Sequence, residues 1–107
     1  MKKIKQEKIN EKAYTIFNEA LKEYKWDLPR KRLRNCNAEV YESDNYYILK
    51  SYNTIIACID KNNDILVDAL RTEYGYTSTS SQHISKFEKD YCRGIWNCAE
   101  KYTTRWV

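Results

Sequence analysis

Glycine and proline are scarce in this 107-residue chain, with two of the first and one of the second. That scarcity argues against long flexible linkers and low-complexity tails, and two glycines cannot build a G-x-G-x-x-G or Walker-type phosphate loop. Long apolar runs are missing as well. No stretch approaches the roughly 18 apolar residues that a spanning helix needs. The charged opening MKKIKQEKIN has no apolar run of secretory length, so no signal peptide is expected. Cys36, Cys58, Cys92 and Cys98 form no C-x2-C or C-x4-C pair, which leaves a zinc site without closely spaced ligands. The convergence of Cys92, Cys98 and His83 is the one arrangement that could supply a metal. The expectation is reduced thiols in a cytoplasmic protein, with no metal and no cofactor.

What is present is the material of a single domain, residues 1–107, with enough apolar and aromatic residues for one core and ten tyrosines. Charge divides it. Residues 1–34 hold eleven Lys/Arg against five Asp/Glu, whereas residues 35–107 hold eight against ten. A basic front therefore joins a slightly acidic body.

Ile9, Ala13, Ile16, Phe17, Ala20, Leu21 and Tyr24 fall on one helical stripe, which predicts a helix over residues 5–25. Leu28-Pro29 stops it, because proline drives the preceding residue out of the α region. From Ala38 the composition turns to β: strands are expected at 38–43, 46–51, 54–60 and 65–70, with turns at Asp44-Asn45 and Lys61–Asp64. The recurring Asp60, Asp64 and Asp68 read as turn chemistry, since the glycine of a calcium loop is missing after Asp64. Ile84, Phe87 and Tyr91 predict a second helix, capped by Ser80 or Ser81 and ended near Gly94. The segment 95–107 fits a short helix or a final strand. The predicted fold is α+β: an N-terminal helix, a three- or four-stranded antiparallel meander, and one or two C-terminal helices packed on the sheet.

Three groups of residues could carry function. Arg30, Lys31, Arg32 and Arg34, with Lys25 and Trp26, form a basic cluster suited to phosphates, bases or an acidic protein surface. Tyr46, Tyr52 and Tyr76 stand for a set of tyrosines around the sheet that could enlarge an interface. Thr79, Ser80, Ser81 and His83 sit at a helix start, where an anion could dock, although a cap and a polar loop need no ligand and explain Ser80 or Ser81 fully. As a catalyst His83 would need a nucleophile or orienting carboxylate that the sequence does not place beside it.

SYNTIIACID at 51–60 and YTSTSSQHISKF at 76–87 resemble small uncharacterised proteins of bacteriophages and mobile elements, through Ser51, Tyr52, Asn53, Thr54, Ala57, Thr79, Ser81, His83 and Phe87. The resemblance covers residues 46–92 and implies a phage-type accessory protein, of a kind that could block a host defence system from the host cytoplasm. With no catalytic constellation in view, the expected function is a non-enzymatic binder that occupies a site on a protein or ribonucleoprotein complex, an anti-CRISPR-like inhibitor. A nucleic-acid-binding accessory protein and a small enzyme centred on His83 are the alternatives. No membrane partner is expected, and an unpaired sheet edge could support a homodimer.

Overall fold

The structure is a computed structural model that describes residues 2–70, 78–94 and 98–104, with the side chains of residues 2–10 and of Ser78 outside that description. Helix α1 (Lys2–Glu23) leads into strands β1 (Arg30–Arg32), β2 (Ala38–Glu42), β3 (Tyr46–Ser51), β4 (Thr54–Asp60) and β5 (Ile65–Asp68). Helix α2 (Ser78–Tyr91) and strand β6 (Glu100–Thr103) complete it. The six strands form one sheet in the order β1-β2-β3-β4-β5-β6. All neighbours are antiparallel except β5 and β6, which run parallel.

The expected three- or four-stranded meander is thus corrected to a six-stranded mixed sheet. Strands β2 to β5 are the four that the β-branched and aromatic runs indicate. Strand β1 adds a fifth at one edge, built from the basic cluster itself, and β6 a sixth at the other. A parallel partner needs a long crossover, and α2 lies within it.

Alternation along the strands feeds two cores. On one face Tyr41, Tyr46, Ile48, Cys58, Ile65 and Val67 pack against Ala13, Ile16, Phe17 and Ala20 of α1. On the other, Val40, Leu49, Ala57, Ile59 and Leu66 meet Ile84 and Phe87 of α2. A β-bulge adjusts the pattern: Leu49 pairs with Ala57 and Lys50 with Ile55, leaving Ile56 as the extra residue. Ile56 and Ala57 consequently join the same core, and Ile56 carbonyl accepts a bond from Ala69 N–H (2.8 Å).

Local chemistry fixes the turns. Ser43 N–H donates to Tyr46 carbonyl (2.9 Å), closing a two-residue hairpin over Asp44-Asn45. Glu23, at the end of α1, grips that hairpin by accepting bonds from Ser43 Oγ (2.7 Å), Asn45 N–H (3.2 Å) and Asn45 Nδ2 (2.8 Å). Partial burial works against the carboxylate, yet these donors prevail and hold its carboxyl below the ordinary range. In the β4–β5 turn Asp60 accepts from the backbone of Asn62 and Asn63, as an Asx turn requires.

Leu49 is fully buried in the α2-side core, whereas Leu21 on α1 is exposed. Leu49→Ala should cost about 2–5 kcal/mol of unfolding free energy, and Leu21→Ala should stay within about 0.5 kcal/mol of the parent. Urea denaturation followed by circular dichroism measures both, and equal effects would contradict the assigned faces.

Candidate functional site

The basic cluster does not form one patch. Strand β1 presents Arg30, Lys31 and Arg32, all exposed, at the edge of the sheet. Arg34 lies beyond it in a turn with a left-handed backbone (φ 53°). There it donates to both carboxylate oxygens of Asp90 on α2, from Nε at 3.0 Å and Nη2 at 2.7 Å. That bidentate bond holds the Asp90 carboxyl below its usual range. Lys86 Nζ donates to Cys36 Sγ in the same turn (3.4 Å). Arg34 is therefore a structural staple between the β1–β2 turn and α2, and it leaves the candidate contact set.

Arg30 is half engaged: Nε meets Glu39 at 3.1 Å, Nη1 donates to Trp26 carbonyl, and the guanidinium lies 5.7 Å from the Tyr41 ring centroid. Lys50 stands 6.0 Å from the same ring on its own side, and Tyr24 packs edge-on to Tyr41 at 5.1 Å. Among the described residues Lys31 and Arg32 form no ion pair. Lys25 is exposed beside Trp26, whose side chain is 77 % exposed. The candidate contact residues that remain are Lys25, Trp26, Arg30, Lys31 and Arg32.

Neither helix covers it. Helix α1 packs on β3 to β6 and α2 on β3 and β4. Shallow depressions flank β1: one of about 290 Å³ is floored by Val40, Tyr47 and Tyr91 beside Lys31, and one of about 410 Å³ runs from Arg32 to Tyr52. A larger one of about 700 Å³ reaches from Lys25 to the β2–β3 hairpin and mixes Lys22 and Lys61 with Glu42 and Asp44.

The tyrosines separate. Tyr46 is buried under α1, with its hydroxyl donating to Glu19 (3.0 Å), and burial pushes that hydroxyl's pKa upward. The expectation that Tyr46 joins an interface is corrected, because strand parity turns it inward. Tyr52 remains exposed at the β3–β4 turn, and Tyr76 lies outside the described residues.

The hydroxyl run is also resolved into parts. Helix α2 begins at Ser78, so Ser80 and Ser81 are inside its first turn and neither is the expected cap. Thr79 is exposed, Ser81 half-buried, and Ser80 and His83 buried. Ser51 Oγ lies 2.8 Å from His83 Nδ1 and 3.2 Å from Ser80 Oγ, while the Tyr52 ring covers the imidazole at 5.9 Å. A serine beside a histidine is the start of a nucleophile–base pair. Here, however, all three groups are buried and among the described residues no carboxylate bonds the ring, so the arrangement ties β3 to α2. Burial, then the Lys86 charge, lowers the His83 pKa and keeps the ring neutral.

The cysteine expectation is corrected in part. Cys92 and Cys98 form a disulfide with Cα atoms 4.7 Å apart, because the end of α2 and the approach to β6 meet there. Cys36 and Cys58 are free, and burial pushes the Cys58 thiol up, leaving it unreactive. The disulfide removes the cysteine-based ground for a reducing compartment. The acid near it is Asp64, whose ligating atoms and those of Cys92 and Cys98 lie within 4.8 Å. Its carboxylate accepts from Arg93 N–H (3.0 Å) and Ala99 N–H (2.8 Å), so it anchors the disulfide-closed segment. His83 does not converge there.

Comparison with known families places the chain. The sequence model of a family of unknown function, DUF8033, matches residues 25–105. The chain belongs to this family. The match takes in β1 and both cores' strands and leaves α1 outside. No curated protein and no solved structure matches the chain. Among the described residues no helix is long and apolar enough to cross a membrane.

Two outcomes test these assignments. Because His83 has a lowered folded pKa, the unfolded chain binds its proton more readily, and stability falls as pH drops through about 6.5. The melting temperature of the parent should decline between pH 7 and 5 more steeply than that of His83→Asn, which keeps a polar atom near Ser51 without titrating. Parallel profiles would show that His83 is not the titrating group. Separately, reducing the Cys92–Cys98 disulfide should lower stability by about 2 kcal/mol, read from urea midpoints with and without reductant.

Proposed function

We propose that the protein is a non-enzymatic binding module that occupies a site on an anionic partner, a protein or ribonucleoprotein complex, through strand β1. The observation that carries this reading is a sheet edge made wholly of exposed Arg30, Lys31 and Arg32, with Trp26 standing free at its end. Lys31 and Arg32, without an ion pair among the described residues, retain their electrostatic reach, and an exposed tryptophan offers a large contact area that the fold does not use. The His83 enzyme reading loses ground because the ring is enclosed by Ser51, Ser80 and Tyr52. The inhibitor role implied by the phage-type resemblance gains nothing from the family match, so the proposal stops at binding.

Direct nucleic-acid binding is the rival, favoured by Trp26 beside arginines, since bases stack on tryptophan. Titrating the protein with poly-glutamate and with oligo-deoxythymidine at low and physiological salt separates the two, with Trp26→Phe reporting whether the fluorescence change arises at this site. Poly-glutamate should bind in a salt-dependent manner, and Lys31→Glu with Arg32→Glu should weaken it at least roughly tenfold at unchanged melting temperature. Binding of the oligonucleotide alone would transfer the surface to nucleic acid. Equal binding by the variant, or no binding of either polyanion at low salt, would overturn the proposal.

A further inference from the structure

The hydrogen-bond phase of β1 determines which of its groups face outward. Leu33 N–H donates to Ala38 carbonyl and Glu42 N–H to Pro29 carbonyl, both at 2.9 Å. The Cα register pairs Arg30 with Tyr41, Lys31 with Val40 and Arg32 with Glu39. In an antiparallel ladder bonded and non-bonded pairs alternate, so Pro29/Glu42, Lys31/Val40 and Leu33/Ala38 are the bonded pairs. Arg30 and Arg32 occupy the non-bonded positions. Their N–H and C=O groups point away from β2, along the free edge.

From this we infer that β1 is a docking edge for an extended acidic segment of a partner protein, which adds to the sheet as an antiparallel seventh strand. The inference rests on the proposed binding reading and specifies its mode. Four backbone groups in one line supply the bonds. Arg30 and Arg32 share the α1 side of the sheet, where Arg30 meets Tyr41 and Glu39, while Lys31 shares the α2 side with Val40. An incoming strand would place two acidic residues, two positions apart, opposite Arg30 and Arg32. The residue between them would lie opposite Lys31, beside the depression floored by Tyr47 and Tyr91, where an apolar side chain fits. The expected segment is acidic, apolar, acidic.

Charge also selects against the wrong occupant. A second copy pairing antiparallel through the same edge would set Lys31 against Lys31 and Arg30 against Arg32. Like charges directly opposite destabilise a strand pair, so the edge resists self-association while accepting an acidic strand. The homodimer that an open edge could support is disfavoured at this edge.

Amide hydrogen exchange by NMR on the full chain tests the mode, using an acetylated, amidated heptapeptide with Glu-Val-Glu at its centre. In the free protein Lys31 should be protected, and Arg30 and Arg32 should exchange fast. Saturating peptide should slow Arg30 and Arg32 roughly tenfold or more and leave Lys31 unchanged. N-methylating both glutamates removes the N–H groups aimed at β1 and should weaken binding roughly tenfold or more. N-methylating the valine, whose N–H points away, should have little effect. If the glutamate-methylated peptide binds as tightly as its parent, attraction is by charge alone: the strand mode fails and the binding reading stands. If neither peptide nor polyanion binds, both fail.

Discussion

Strand β4 is closed off on both faces, and that enclosure governs the rest of the molecule. From Ile56 to Asp60 every residue is buried, so neither face of the sheet centre can be left to water. Each central strand must supply apolar side chains in both directions, and one helix must lie on each side. Polar groups inside this frame survive only with partners. Ser51 bonds both Ser80 and His83, and among the described residues no buried side-chain nitrogen or oxygen lacks a hydrogen bond. A buried hydroxyl without a partner would cost about 1–3 kcal/mol, which explains why Ser51 and His83 occur together.

Covering the centre leaves the margin. The two described helices do not shield all six strands: α1 packs on β3 to β6 and α2 on β3 and β4. Strand β1 is left with solvent on both faces and along its edge, which is where three cations in a row are tolerable. The same exposure that makes the residues useless to the core makes them available to a partner. Arg34, four residues after Arg30, has the opposite fate because the chain turns there and delivers it to Asp90.

The parts of the fold legible in the sequence are those whose burial leaves a local period. The stripe Ala13, Ile16, Phe17 and Ala20 marks α1, and the runs YYILKS and TIIACID mark β3 and β4. Strand β1 leaves no such mark, since RKR buries nothing and is a strand only because Val40 and its neighbours pair with it. Strand β6 pairs with β5 across an intervening helix, a partnership that no local pattern records. The candidate site was legible as a basic cluster but not as a geometry. Whether an arginine is free or stapled depended on a partner 56 residues away, and whether Tyr46 or Tyr52 is exposed depended on strand parity and a turn. The SYNT and S-x-H segments were legible as motifs, yet their joining through Ser51 and His83 required the fold.

The two edges of the sheet are treated differently, and the difference carries the functional argument. Strand β6 is bound to its surroundings from several sides. Asp64 holds the chain before it, the Cys92–Cys98 disulfide ties that chain to α2, Lys12 of α1 sits 5.1 Å from the Tyr102 ring, and Lys101 reaches Glu88 of α2. Strand β1 is secured on its inner side, by pairing with β2 and by Arg30–Glu39, and at its turn, through Arg34–Asp90 and Lys86–Cys36. A strand fixed along its inner side with its outer backbone groups unspent is a preorganised partner for pairing, because its conformational entropy is already lost before anything binds. Basic side chains then restrict what can pair there to a strand that brings negative charge.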